Sequence, residues 1–71
     1  MLIDHPKHEQ ILTEIVTRCR MAGMVIYLTE LVPDREKGWD ARFKAEGHRQ
    51  AEYELAFLRI VNAVRDEFGA R

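Results

Sequence analysis

Apolar residues recur every three or four positions along the first part of the chain. The series consists of Leu12, Ile15, Cys19, Ala22 and Ile26. This spacing places side chains on one face of an α-helix. Pro6 suits the first position of a helix, and a residue that precedes a proline, as Val32 does, is disfavoured in helical conformation. The pattern therefore predicts a first helix over about residues 6–31.

A second apolar series with helical spacing follows a polar loop at about residues 32–38. Its members are Phe43, Gly47, Ala51, Leu55, Leu58, Val61, Val64 and Phe68. Gly69 stands where helices commonly end, so this series predicts a second helix over about residues 39–68. Two helices joined by one short loop make an all-α fold, an antiparallel two-helix hairpin that forms a single domain over residues 1–71.

The stretch from Met21 to Leu28 has a competing interpretation. Val25, Ile26 and Tyr27 favour β-sheets, so a strand is the alternative to a continuous helix. The sequence shows no second run of alternating residues that would pair with such a strand, which favours the helix. A membrane-spanning segment is excluded because eight apolar residues fall far short of the ~20 that a bilayer requires.

The predicted hairpin carries more apolar surface than two packed helices can bury. Helices that are apolar nearly all round need a further partner. A second copy would cover this surface by forming a homodimeric four-helix bundle, and a larger protein target is the other candidate. The residues predicted for this dimer or partner interface are Met21, Met24, Val25, Leu28, Tyr53, Phe57, Ile60, Val61, Val64 and Phe68.

Aromatic and charged residues add candidates within the same hypothesis. Trp and Arg often carry binding energy at interfaces, so contact with a partner is predicted for Trp39, Arg35, Arg42 and Tyr27. Trp39 has the alternative role of covering the end of the bundle. Glu54 and Arg65 fall inside the apolar arc of the second helix, where charges must pair or reach solvent. They either fix the register of a symmetric interface or extend to its rim.

Composition and charge narrow the class of protein. The 71 residues carry a formal net charge of −1, with 11 basic and 12 acidic residues interspersed. This balance argues against nucleic acid as a partner, because such proteins show a basic face. The single Cys19 and the absence of a basic and then apolar N-terminal region predict a cytoplasmic protein without a signal peptide.

Candidate chemistry is sparse. His5 and His8 are spaced so that both rings lie on one side of a helix, which is a weak signal for a metal site without a third ligand. No grouping of a base with a nucleophile and no glycine-rich phosphate loop appears. The sequence therefore predicts no catalytic residues and no cofactor.

These observations together predict a small non-enzymatic protein-binding regulator. Inhibitor, anti-activator and adaptor roles all fit, and small bacterial or phage-encoded regulators offer the analogy in size and architecture. The first alternative is a nucleic-acid-binding hairpin dimer or a reduced helix-turn-helix regulator. The second alternative is a small metal-dependent enzyme that uses His5 and His8.

Overall fold

The computed structural model describes residues 5–69, which form two helices and two strands in the order helix, strand, strand, helix. Strands β1 and β2 pair as an antiparallel hairpin. Both helices pack on one face of the hairpin and against each other. The bounds are α1 at His8–Met21, β1 at Leu28–Asp34, β2 at Gly38–Lys44 and α2 at Arg49–Phe68.

The prediction of an all-α hairpin, and with it the four-helix bundle, was wrong. Residues 28–44, predicted as helix end, loop and helix start, form the β-hairpin instead. Trp39, Ala41 and Phe43 alternate along β2 and turn toward the helices, because successive side chains of a strand point to opposite faces. Leu31 lies opposite Ala41 in the register and is fully buried. The fold is therefore α+β, with two layers.

Asp34 and Gly38 shape the turn of the hairpin. The Oδ1 atom of Asp34 accepts hydrogen bonds from the backbone N–H groups of Glu36 and Lys37, each at 2.9 Å. These bonds hold the pKa of the Asp34 carboxyl below its usual value. Gly38 has a φ of 86°, a conformation that glycine adopts without strain. Turns of this kind favour aspartate at the first position and glycine after the loop.

Glycines end the first helix and precede the second. Gly23 has a φ of 78°, and its N–H donates to the carbonyl of Arg20 while the N–H of Met24 donates to the carbonyl of Cys19. This pair of bonds is the Schellman arrangement that closes a helix. Gly47, with a φ of 48°, lies just before α2. The predicted helices ran through both glycines and were therefore too long.

The core lies between the helices and the inner face of the hairpin. Phe43 of β2 packs on Phe57 of α2 with ring centroids 4.4 Å apart. The hairpin thus covers apolar surface that the sequence interpretation had assigned to another molecule. The buried core residues are Ile11, Ile15, Cys19, Met24, Leu31, Trp39, Phe43, Tyr53, Phe57, Val61 and Val64.

An ion pair joins the two helices at their surface. Arg18 of α1 donates from Nη2 and Nη1 to the two carboxylate oxygens of Glu67 in α2, at 2.6 and 2.8 Å. Its Nε atom donates to Glu14 one turn earlier, at 2.8 Å. The hydrogen bonds from Arg18 lower the pKa of Glu67, and those carboxylates raise the pKa of Arg18. This contact fixes one helix against the other outside the core.

Candidate functional site

The two strands each have an outer edge, and the register shows which backbone groups face it. In an antiparallel pair, successive residues direct their N–H and C=O groups alternately toward the partner strand and away from it. Pro33 has no N–H yet lies within the continuous register opposite Trp39, so its nitrogen faces outward. By alternation, the outward-facing positions are Thr29, Leu31 and Pro33 on β1, and Trp39, Ala41 and Phe43 on β2.

Side chains cover the outer edge of β2. Arg65 donates from Nε and Nη2 to the carbonyl of Trp39, at 3.2 and 3.0 Å. The N–H of Ala41 donates to Oδ1 of Asp40 at 2.8 Å. At the far end of the strand, Gln50 Nε2 donates to the carbonyl of Phe43 at 2.9 Å. Since at least one backbone group of each outward residue is satisfied, β2 offers little to a further strand.

Trp39 and Arg65 contact each other within the chain; for Trp39 the sequence left a structural role as the alternative to partner contact. Trp39 is 1% exposed, and its Nε1 donates to the carbonyl of Gly69 at 3.0 Å. Arg65 lies over the indole ring, 4.7 Å from its centroid. Its Nη2 also lies 3.4 Å from Oδ1 of Asp40. Trp39 is therefore a core residue, and Arg65 finds its partners within its own chain.

The outer edge of β1 is accessible at its ends, where Thr29 is half-buried and Pro33 is exposed, but not at its centre, where Leu31 is 0% exposed. Within residues 5–69, no side-chain hydrogen bond reaches the outward N–H and C=O groups of Thr29 or the carbonyl of Pro33. Unpaired backbone groups along a strand form a template on which another extended chain can add. The difference between the two edges makes β1 the candidate site for binding.

An apolar groove lies beside the open edge. We call it the β1 groove, and its exposed apolar members are Val25, Tyr27 and Leu28, which are 69%, 66% and 48% exposed. A groove next to a strand edge can take the alternate side chains of an added strand. The residues that line the β1 groove are Val16, Cys19, Arg20, Met24, Val25, Ile26, Tyr27, Leu28 and Thr29.

Hydrogen bonds fix the backbone of the segment that forms the β1 groove. The N–H of Val25 donates to the hydroxyl of Tyr53 in α2 at 3.2 Å. Arg49 donates from Nη1 to the same hydroxyl at 3.3 Å. Two residues further on, the N–H of Tyr27 donates to the carbonyl of Lys44 at 2.9 Å. The exposed side chains of this segment thus stand on an anchored backbone.

A second exposed apolar surface lies on α2. Leu55 and Leu58 are 59% and 47% exposed and stand beside β2, near Arg42 and Phe43. The neighbouring strand edge is the one that Gln50 covers. This surface therefore offers apolar contact, but the strand edge beside it is covered, whereas the start of β1 at Thr29 is not.

The structure separates the predicted interface residues into three groups. Met24, Tyr53, Phe57, Val61 and Val64 were predicted at an interface with another molecule and are instead buried in the core of the chain itself. Ile60 and Phe68 are partly buried and pack against that core. The remaining predicted residues are exposed on or near the first connection, namely Met21, Val25 and Leu28.

The predicted partner contacts do not form one cluster. Tyr27 precedes β1, whereas Arg35 lies in the turn at the opposite end of that strand. Arg42 is exposed on the outer face of β2, opposite Glu30. Glu54 is exposed on α2 and is not joined to Arg65 by any ion pair within residues 5–69. Only Tyr27 of these residues lies at the open edge.

The titratable groups do not converge on a reaction centre. In the part of the chain that the structure describes, no group of three or more His, Cys, Asp or Glu residues stands ready for a metal ion. His5 accepts the N–H of Lys7 on Nδ1 at 2.9 Å, and Nε2 of both His5 and His8 is buried without a partner there. Cys19 is 2% exposed, and burial raises the pKa of its thiol.

The comparisons with known proteins add no assignment: no family model, no curated protein and no solved structure matches the chain. The helices of residues 5–69 offer no segment with both the length and the apolar character that crossing a membrane requires. The sheet edges and the β1 groove are therefore the features of the described residues that bear on function.

Proposed function

We propose that the protein is a non-enzymatic protein-binding module that takes an extended polypeptide segment at the accessible start of β1, beside the β1 groove. The contrast between the two edges supports this proposal. Arg65, Asp40 and Gln50 cover β2, while no side chain within residues 5–69 covers the outward groups of Thr29 at the start of β1. Backbone hydrogen bonds would supply affinity, and the β1 groove would select side chains.

Polypeptide fits this edge better than nucleic acid does. Regularly spaced N–H and C=O groups match the backbone of another strand, whereas binding to nucleic acid rests on several cations that contact phosphates. Arg20 is the one basic residue of the β1 groove within the described chain, and the other lining residues are uncharged. The formal net charge of −1 agrees with this preference.

A module of this kind regulates by occupation. When a segment of another protein pairs with β1, that segment is no longer available to the other protein's usual partners. This is the physical basis of an inhibitor, anti-activator or adaptor role. No bond is made or broken in such a role, and none of the groups described above is required for chemistry. A binding surface, and no reaction centre, thus carries the proposed function.

Photo-crosslinking in the native cells tests the proposal. A benzoylphenylalanine probe replaces Tyr27, which lines the β1 groove and is 66% exposed. The matched control carries the same probe at Leu55, which is 59% exposed on α2. We expect polypeptide adducts, identified by mass spectrometry, from position 27 and few from position 55. Adducts from position 55 alone, or no polypeptide adduct from position 27, would overturn the proposal.

A further inference from the structure

We infer that the polypeptide segment taken up at the β1 groove carries an aspartate or glutamate side chain whose carboxylate binds the guanidinium of Arg20. This inference rests on the proposed function, because it states the chemistry of the partner that the same site takes. The other side chains of the segment at the groove are apolar or uncharged, to match the remaining residues that line it.

Arg20 is the charged residue of the β1 groove, and no acidic side chain of residues 5–69 pairs with it. It is exposed in the last turn of α1. Within that range its side chain takes part in no ion pair and no hydrogen bond. Arg18, two residues earlier on the same helix, binds Glu14 and Glu67. The five N–H donors of the Arg20 guanidinium are therefore available to a ligand.

The charge of the β1 groove favours a carboxylate over a basic group. Its lining within the described chain holds one cation and no carboxylate, since the other eight residues are uncharged. A basic side chain of a bound segment would face Arg20 without a counter-charge, and contacts of this kind exclude partners. Apolar neighbours reduce the screening of an ion pair by water, and a planar guanidinium binds both oxygens of a carboxylate. Electrostatic complementarity therefore selects an acidic group.

The backbone beside the β1 groove indicates a side-chain carboxylate rather than a chain terminus. Within residues 5–69, no side-chain hydrogen bond reaches the outward N–H and C=O groups of Thr29. A residue inside a segment offers both an N–H and a C=O to these groups, as in an antiparallel pair. A C-terminal residue in the same place would use its carboxylate on the N–H of Thr29. An acidic side chain leaves the backbone for Thr29 and is itself left for Arg20, on the α1 side of the groove.

The exposed apolar members of the β1 groove determine the character of the neighbouring side chains. Val25, Tyr27 and Leu28 present apolar surface on an anchored backbone. Apolar side chains of a bound segment gain free energy by covering that surface. A polyacidic segment would bring further carboxylates that find no second cation in the described lining. The expected ligand is thus an extended, mainly apolar segment with one acidic residue.

A phage-displayed library of random peptides, selected on the immobilised full chain, tests the inference. Peptides enriched by the parent chain should carry one aspartate or glutamate among apolar residues. Arg20→Gln should abolish the preference for an acid, and Arg20→Glu should replace it with a preference for lysine or arginine. Arg59→Gln is the matched control, because Arg59 is exposed on α2 and lies outside the groove. Circular dichroism checks that every variant folds.

Titration of one enriched peptide measures the contact with Arg20 directly. Replacing the acid of the peptide with the corresponding amide should weaken binding to the parent chain by about fivefold, the upper range for an exposed ion pair. The same replacement should leave binding to the Arg20→Gln chain unchanged, because the charge that it paired with is already gone. The benzoylphenylalanine probe at position 27 should attach to this peptide, which shows that it occupies the β1 groove.

The outcomes separate this inference from the proposed function. Enriched peptides that react with the probe but share no acid, or an acid preference that survives Arg20→Gln, would overturn the inference alone. If the parent chain enriches no peptide, or none that reacts with the probe, the inference fails as well. The proposed function is then decided by the experiment in native cells, and it fails if the probe at position 27 captures no polypeptide there.

Discussion

The guanidinium of Arg65 binds the carbonyl oxygen of Trp39 and also lies over the indole ring of the same residue, 4.7 Å from its centroid. One side chain of α2 thus holds both the backbone and the side chain of a β2 residue. Because Trp39 donates in turn to the carbonyl of Gly69, this contact ties the strand to the end of the last helix. It orients β2 on the helical layer.

Replacing Arg65 with methionine should lower the free energy of unfolding by about 2 kcal/mol. Hydrogen bonds to a charged group contribute about 1.5–3 kcal/mol and a cation–π contact about 0.5–1 kcal/mol. Urea unfolding followed by the fluorescence of Trp39 measures the change. Arg59→Met, at an exposed position of the same helix, should stay within about 0.5 kcal/mol. Equal effects of the two substitutions would contradict the structural role of Arg65.

Uncovering the edge of β2 should create a second site for strand pairing. Gln50→Ala together with Arg65→Met releases the carbonyls of Phe43 and Trp39, which those side chains bind. We expect species larger than those of the parent chain in light scattering, growing with protein concentration. The control pairs Gln50→Ala with Arg59→Met, which leaves the Trp39 carbonyl covered. An unchanged mass in the doubly uncovered chain would show that these side chains do not protect the edge.

Gly38 should resist substitution. Its φ of 86° lies in the left-handed region, where a residue with a Cβ atom loses roughly 1–2 kcal/mol. Gly38→Ala should therefore lower the free energy of unfolding by about that amount, measured by urea denaturation. Lys37→Ala in the same turn, at an exposed position, should change it by less than about 0.5 kcal/mol. A Gly38→Ala chain as stable as the parent would contradict the turn geometry.

The ion pair between Arg18 and Glu67 should make stability depend on pH in the acid range. The hydrogen bonds from Arg18 lower the pKa of Glu67 in the folded chain below its ordinary value of 4.5. The contribution of this ion pair to the free energy of unfolding is therefore present above pH 4.5. It is lost as the pH falls through the lowered pKa of Glu67 in the folded chain.

Glu67→Gln should flatten this dependence, which melting temperatures across the acid range would reveal. Glu54→Gln serves as the control, because Glu54 is exposed on the same helix and forms no ion pair in the described part of the chain. If both substitutions changed the acid dependence equally, the contact between the helices would not be its source.

The sequence predicts the helical parts of the fold and misses the sheet. Ile15 and Cys19 of the first predicted series and Val61 and Val64 of the second are buried. Ile11 and Phe57, which lie outside those series, are buried as well, whereas Leu55 and Leu58 are exposed. Both helices lie within the predicted ranges but are shorter. Gly23 follows the end of α1 and Gly47 precedes the start of α2. A pattern of apolar residues does not show that helices stop at these glycines.

The sequence did not predict the hairpin, because the spacing of apolar residues in β2 fits a helix as well as a strand. Trp39 and Phe43 are four residues apart, so they fit a helical stripe as well as an alternating strand. Ala41, the residue between them on the inner face, is too small to mark the alternation clearly. Asp34 and Gly38 could have indicated the hairpin, since aspartate and glycine at these positions suit its turn.

The open edge depends on tertiary contacts that a sequence does not reveal. Pro33 could have indicated which groups of β1 face outward once the strand was known. No comparable signal shows that Arg65 and Gln50, far along the chain, reach back to the carbonyls of Trp39 and Phe43. Val25, Tyr27 and Leu28 are exposed, although not on the helix that the sequence predicted, and their contact with a partner stays a prediction.

The anchoring of residues 24–27 by Tyr53 and Lys44 affects how quickly a partner can bind. The backbone under the exposed side chains is already ordered, so association freezes side-chain rotamers and little else. A preorganised surface of this kind requires no slow rearrangement before contact becomes productive. Encounter and desolvation, rather than a conformational search by residues 24–27, then set the association rate.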